Sequence, residues 1–145
     1  MILSAPEITR RLDRNCIVGN LVITPYSSEC QQPASYDLRA NGDVHLPKGT
    51  CTLVPTLEWV ELPKDIAGTL RCRSSFGRRG VLLGAGFIDP GFRGQLTLCL
   101  TNLGSDDIII HKNERLVQII FHEVRESAQC YSGRYQDSHG AVEAK

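Results

Sequence analysis

The chain has 145 residues, a length that suits one domain, and its 16 Lys and Arg side chains balance 16 Asp and Glu side chains. This zero net charge argues against a broad nucleic-acid or membrane-binding surface. The longest apolar runs, such as VLL and III, are too short to span a bilayer, and MILSAPEITRR has too short an apolar stretch for a signal peptide. We therefore expect a cytoplasmic protein with one domain, residues 1–145, that binds neither nucleic acid nor membranes.

The six cysteines are scattered singly and form no CxxC pair. An even number could build a disulfide framework in a secreted protein, but no export signal precedes them. Several lie among apolar residues, as in LRCRSS and TLCLTN, where a thiol behaves as a small hydrophobic group. We expect reduced, structural cysteines.

The N-terminal stretch predicts a short amphipathic helix over residues 4–13. Ser4 and Glu7 fit a capping box, and Ile8 and Leu12 lie four positions apart behind it.

Beyond the helix, short runs of strand-like residues are separated by Pro, Gly, Asn and Asp. The runs are NLVIT, YDLRA, CTLVP, EWVEL, GTLRCR, QLTLCLT, DIIIH and RLVQIIFHEV. This pattern predicts an antiparallel sandwich, barrel or jelly roll. The stretch SSFGRRG predicts one helical turn at most, and the polar residues from 129 onward predict a mobile tail.

The stretch RCRSSFGRRG, residues 71–80, has the groups that bind an anion. If Ser74 opens a helical turn, its hydroxyl and the free backbone N–H groups can bind a phosphate, and Arg78 lies on the same face. An N-capped surface turn with solvated arginines explains the same residues.

The stretch LGAGFIDPGFRG, residues 83–94, predicts the wall of a pocket. The glycines on either side of Ala85 allow a ligand to approach the backbone, and Pro90-Gly91 suits a tight turn. The phenylalanines of this stretch could flank a base or a sugar. Asp89 is then either the working carboxylate of the pocket or a side chain that stabilises the turn through its own backbone.

Three further stretches could contact a nucleotide. Asp37 and Arg39 lie on one side of a short strand, where Asp37 could hold a hydrated Mg²⁺ or the two could form a solvated pair at a sheet edge. Gln118 falls on a strand face that otherwise looks buried, and a ligand phosphate could satisfy its amide. In the tail, Arg134 and Tyr135 could cover a nucleotide by charge and stacking.

Several other chemistries are excluded by their missing motifs. The chain has no GxxxxGK[ST] phosphate loop, no zinc-deaminase signature HxE…PCxxC and no GxSxG elbow.

Five stretches, in this order, resemble the trimeric dUTPase and dCTP deaminase superfamily. They are MILSAPEI with QQPASYDLRA, RSSFGRRGV, GAGFIDPGFRGQLTLCLTN, NERLVQIIF and YSGRYQDSHGA. The resemblance implies an all-β, jelly-roll-like distorted barrel of short antiparallel strands, with a short N-terminal helix and a flexible C-terminal tail. It also implies a homotrimer whose active sites are shared between subunits, with the tail, residues 129–145, closing as a lid over the nucleotide.

Position 99 assigns the chain to a branch of this superfamily. dCTP deaminases, and the bifunctional enzymes that also hydrolyse the triphosphate, carry a catalytic glutamate here in a TLE-type motif, whereas this chain reads TLC. A buried thiol does not replace a carboxylate in proton transfer, because burial raises its pKa. Asp89 matches the aspartate with which dUTPases activate water. The chain is most similar to the short, deaminase-like dUTPases of archaeal type, which predicts a dUTP diphosphatase that forms dUMP and pyrophosphate.

The resemblance also implies a role for each candidate residue. Asp89 is the general base, Mg²⁺ neutralises charge on the triphosphate of dUTP, and Asp37 contacts that metal through water. The implied phosphate-binding residues are Arg73, Ser74, Ser75, Arg78, Gln118 and Arg134. The implied base- and sugar-binding residues are Ala85, Gly86, Phe87, Phe92, Gln95, Leu96, Thr97 and Tyr135.

Two alternatives remain open at this point. The chain could be a dCTP deaminase, or a bifunctional dCTP deaminase and dUTPase, that uses another base. It could also be a non-catalytic nucleotide-binding homologue.

Overall fold

The computed structural model of the protein describes residues 1–126 and 129–145. Helix α1 spans Ala5–Leu12, close to the prediction. The predicted capping box is wrong, because the Ser4 side chain makes no capping hydrogen bond and the Glu7 carboxylate accepts hydrogen bonds from Arg10 instead. Pro6 in the first turn has no N–H, so the helix start has one donor fewer that needs a partner.

The rest of the fold is built from short strands. These are β1 Val22–Thr24, β2 Gln31–Gln32, β3 Ser35–Arg39, β4 Val44–Leu46, β5 Cys51–Glu61, β6 Ile66–Cys72, β7 Val81–Gly84, β8 Phe87–Ile88, β9 Arg93–Asn102, β10 Ile108–Ile110 and β11 Arg115–Glu123. A 3-10 turn at Ser28–Cys30 and a one-turn helix α2 at Ser74–Gly77 interrupt them. The strands form three antiparallel sheets, in the orders β1-β5-β9-β7, β10-β4 and β2-β3-β11-β6-β8. The all-β prediction and the single helical turn at Ser74 are confirmed.

The two larger sheets enclose the core. Strand β9 alternates between fully buried and half-buried residues along its length, so that Leu96, Leu98 and Leu100 lie in the core while the residues between them remain reachable from outside. Strand β11 is buried on both faces at Leu116 and Val117. Each large apolar side chain that is fully buried stabilises the fold by about 1.5–3 kcal/mol.

Strand β5 contains a bulge that the sequence does not reveal. The predicted runs CTLVP and EWVEL are one strand, in which Pro55 pairs with Thr97 and Trp59 with Gln95. Residues 56–58 therefore oppose Leu96 alone. Pro55 is tolerated because the ladder is irregular there.

All six cysteines are free thiols, although Cys30 alone is buried and Cys51 and Cys130 are exposed. None of the helices formed by the described residues is long and apolar enough to cross a membrane.

Candidate functional site

Asp89 lies at the first position of the predicted tight turn. The Phe92 N–H donates to the Asp89 carbonyl oxygen at 3.2 Å, and Gly91 has a φ of 82°, which suits a glycine at the third turn position after Pro90. The Asp89 side chain is exposed, and its carboxylate has no hydrogen-bond partner among the described residues. The turn is therefore formed by the backbone and by Pro90-Gly91, which leaves the Asp89 carboxylate available to a ligand.

A cavity of about 520 Å³ opens beside this turn. Its walls come from the segment between β7 and β9, from β9 itself, from one residue each of β5 and β6, and from the C-terminal tail. The residues that line it are Leu53, Leu70, Ala85, Gly86, Phe87, Ile88, Asp89, Phe92, Gln95, Leu96, Thr97, Cys99, Tyr131, Tyr135, Ser138, Val142 and Ala144. The volume lies within the range of small-molecule sites in proteins.

All of the predicted base- and sugar-binding residues lie in this wall, together with Asp89. The prediction missed two kinds of residue. Leu53 reaches the cavity because it pairs with Cys99 across β5 and β9, a contact that depends on strand register. Tyr131, Val142 and Ala144 belong to the tail, whose path over β9 has no local sequence signal.

Backbone conformation shapes the entrance of the cavity. Ala85 has a φ of 60° and Gly86 a φ of 108°, so the chain reverses between β7 and β8 through conformations that are uncommon for residues with a side chain. The Leu70 N–H donates to the Gly86 carbonyl oxygen at 2.7 Å and holds this segment against β6. A Cβ added to Gly86 would come within 3.1 Å of the Leu70 Cβ, which explains the small residue there.

Cys99 supplies a neutral group to the cavity wall. Burial raises the pKa of its thiol above the ordinary value, so the side chain is uncharged at neutral pH. Among the described residues that line the cavity, Asp89 is the one that has a carboxylate.

The tail packs on strand β9 of its own chain. The Gln95 N–H donates to the Ser138 carbonyl oxygen at 2.9 Å, and the Val142 N–H donates to the Thr97 hydroxyl at 3.0 Å. The Arg93 guanidinium pairs with the Asp137 carboxylate, and this contact lowers the pKa of Asp137. Tail residues 129–145 thus cover the cavity within one chain.

The predicted phosphate-binding residues lie elsewhere and do not line the cavity. Ser74, Ser75 and Arg78 are exposed around α2, which begins at Ser74 as predicted and has Arg73 as its N-cap. Arg134 instead donates to the Lys145 carbonyl oxygen.

A second polar group lies on the five-stranded sheet. Gln118 is half-buried on β11 between Asp37 and Arg71 of the two adjacent strands, and its amide oxygen lies 3.5 Å from the Ser35 hydroxyl. Asp37 is 2% exposed. The alternative of a solvated edge pair is therefore wrong, since β3 lies between β2 and β11.

The surroundings of Asp37 do not fit a magnesium ligand. Its carboxylate lies 3.2 Å from the Arg73 guanidinium and 3.6 Å from that of Arg115. Burial raises the pKa of Asp37, and the two arginines partly oppose that shift. A carboxylate held between two cations has little charge left for a metal ion. Among the described residues, no group of three or more His, Cys, Asp or Glu side chains is arranged to hold a metal.

The chain belongs to the dCTP deaminase-like family, whose sequence profile matches residues 40–124. A dCTP deaminase of Thermococcus sibiricus is 38% identical over 134 residues, which cover 81% of this chain and 86% of the relative. A protein of Aquifex aeolicus named dCTP deaminase, dUMP-forming, is 30% identical over 174 residues, which cover 100% of this chain and 94% of the relative. These relatives are enzymes by name.

The native EIAV dUTPase shares the fold, with a TM-score of 0.64 over 80% of this chain and 98% of the dUTPase. Its identity to this chain is 21%. The jelly-roll-like fold and the resemblance to the dUTPase and dCTP deaminase superfamily are both confirmed.

The prediction of a dUTP diphosphatase is wrong, because relatives at 30–38% identity are named dCTP deaminases. That assignment rested on the missing carboxylate at Cys99 and on the match of Asp89 to the dUTPase aspartate. The cavity that Cys99 lines still contains the Asp89 carboxylate, so one substitution on β9 does not remove the acid-base group from the site.

Proposed function

We propose that the protein is a dCTP deaminase that removes the amino group from the cytosine ring of dCTP. The observation that carries the proposal is the cavity beside Asp89. Its volume suits a nucleoside, and its wall contains one carboxylate. The named dCTP deaminases among its relatives support the same substrate.

The reaction needs a proton acceptor and later a proton donor. A water molecule attacks C4 of cytosine, and its proton passes to Asp89. The electron pair of the C4–N3 double bond moves to N3, which takes this proton from Asp89. The new C4 hydroxyl then passes its own proton through Asp89 to the amino group, the C4–N bond breaks, and ammonia leaves as the C4 carbonyl forms. The products are dUTP and ammonia. One carboxylate can serve both steps, and such proton transfer typically accelerates a reaction by about 10²–10⁴-fold.

The other residues of the wall would bind and orient the nucleoside. Phe87 and Phe92 present aromatic surface, and Phe92 packs on Tyr131 with ring centroids 5.6 Å apart. The backbone of residues 85–97 and the half-buried Gln95 and Thr97 side chains would offer polar groups to the base.

The triphosphate would be bound by a neighbouring subunit. Ser74, Arg78 and Gln118 do not reach the cavity of their own chain, so a complete site requires a second copy that brings them to it. We therefore propose the homotrimer with shared sites that the family resemblance implies. Sedimentation at working concentration checks this, and an active monomer would contradict it.

The predicted Mg²⁺ remains a prediction without an assigned protein ligand. Bound to the triphosphate, the ion would neutralise phosphate charge. No step of the deamination described above depends on it.

A second candidate is a dUMP-forming deaminase, which the match to the Aquifex aeolicus protein across the whole of this chain favours. The nucleotide product distinguishes the two candidates. The protein is incubated with dCTP, ammonia is measured and the nucleotides are separated by chromatography. Ammonia with dUTP supports the main proposal, and ammonia with dUMP supports the second. Unchanged dCTP without ammonia contradicts both and favours a non-catalytic homologue.

A further inference from the structure

We infer that the β5 bulge positions the C-terminal tail over the cavity, with Thr56 and Gln95 as positioning residues. The inference begins with Thr56, which is fully buried within the bulge. Its hydroxyl donates to the Glu58 carbonyl oxygen at 2.8 Å and accepts from the Leu96 N–H at 2.9 Å. One hydroxyl thus joins both ends of the irregular segment and ties it to β9.

The bulge is held in place by a buried ion pair. Glu58 is fully buried, and its carboxylate accepts hydrogen bonds from the Arg39 Nε at 2.6 Å and from the Arg39 N–H at 2.9 Å. Arg39 also donates to the Pro25 carbonyl oxygen at 2.7 Å. Because Arg39 lies on β3, this pair fixes the bulge relative to the other sheet.

The bulge orients the amide of Gln95. The Gln95 Nε2 donates to the Thr56 carbonyl oxygen at 2.9 Å, which directs the amide oxygen away from the bulge. That oxygen accepts the Gly140 N–H at 2.8 Å. Gly140 has a φ of 67°, a conformation that glycine adopts without strain. The Thr56 carbonyl oxygen, which the bulge holds in place, therefore sets which end of the Gln95 amide faces the tail.

This arrangement links the bulge to the wall of the cavity. Gln95 and Leu96 line the cavity from β9, and Ser138 and Val142 on either side of Gly140 line it from the tail. A change at Thr56, which does not line the cavity, would move the tail and alter nucleotide binding. The effect on turnover rests on the proposed function, whereas the effect on the tail does not.

Amide hydrogen exchange of the full chain tests the inference without any nucleotide. In Thr56→Val we expect the Gly140 amide to exchange about five- to tenfold faster, as for the loss of one hydrogen bond. Thr56→Ser keeps the hydroxyl and should exchange like the parent. Thr50→Val is the matched control, because its hydroxyl bonds the Pro47 carbonyl oxygen outside the cavity wall. Unchanged Gly140 exchange in folded Thr56→Val would overturn the inference.

Gln95→Leu keeps the test decisive if Thr56→Val does not fold. It removes the acceptor of the Gly140 N–H from a half-buried position, so parent-like Gly140 exchange overturns the inference, and fast exchange supports Gln95 as the residue that positions the tail. With dCTP as substrate, Thr56→Val should raise KM more than it lowers kcat, and Thr56→Ser should restore KM. A parent-like KM in Thr56→Val with a released tail would overturn the link to binding. If the parent does not convert dCTP, the proposed function fails while the exchange result stands.

Discussion

Asp89 and Cys99 line the same cavity, although Asp89 lies in a tight turn and Cys99 lies near the far end of the strand that follows. The two side chains differ in what they offer. The Cys99 thiol is neutral because burial raises its pKa, whereas Asp89 is exposed and its carboxylate has no hydrogen-bond partner among the described residues. The proposed chemistry therefore depends on Asp89 and leaves to Cys99 the role of filling the wall.

Cys99→Ser should retain dCTP turnover within roughly tenfold of the parent, short of the 10²–10⁴-fold loss expected when a catalytic base is removed. The sign of the pH effect follows from the raised pKa of Cys99. Its thiol stays protonated until the pH passes that raised value, so it adds no ionisation to the rate near neutral pH. Profiles of kcat against pH for the two proteins should have the same shape. A step that is present in the parent and absent in Cys99→Ser would assign a catalytic role to the thiol.

Glu58→Ala should destabilise the protein by about 3–5 kcal/mol, because it leaves the Arg39 guanidinium without its buried partner. Glu7→Ala is the matched control, since it removes an exposed partner of Arg10 and should cost no more than about 1 kcal/mol. Urea unfolding of both variants measures the difference. Equal midpoints for the two variants would show that the buried pair does not stabilise the bulge.

Asp137→Asn should loosen the tail, because it removes the ion pair with Arg93. Arg93 lowers the pKa of Asp137, so the ion pair is present above the ordinary aspartate pKa and is lost as the pH falls through the lowered value. Trypsin cleavage after Arg134 in the native protein should be faster in Asp137→Asn than in the parent at neutral pH. The exposed Asp106, which contacts Ser105, provides the control Asp106→Asn. Equal cleavage in all three proteins would contradict the role of this pair.

The sequence pattern predicts the long strands because a period of two in apolar residues persists over their length. It does not predict β2, β4, β7 and β8, which have two to four residues each and too few to show a period. The bulge hid the continuity of β5, since Thr56 and Glu58 are polar residues with buried side chains.

The candidate site also has residues that the sequence predicts and residues that it does not. Residues 83–94 were predictable because glycines, a Pro-Gly turn and aromatic residues lie in this one contiguous segment. Leu53 and the tail contacts depend on strand register and on long-range hydrogen bonds such as that between Gly140 and Gln95. The branch of the family was predicted wrongly because it rested on two residues, Cys99 and Asp89, and two residues do not define a cavity with many others in its wall.

The most direct test of the proposed chemistry is dCTP deamination by Asp89→Asn, measured together with dCTP binding. Asn suits the turn as well as Asp does, and the turn hydrogen bond comes from the backbone, so the variant should fold and bind dCTP with little change. The account predicts that kcat for ammonia release falls by about 10²–10⁴-fold because the proton acceptor is lost. Ammonia release at the parent rate by folded Asp89→Asn would contradict it.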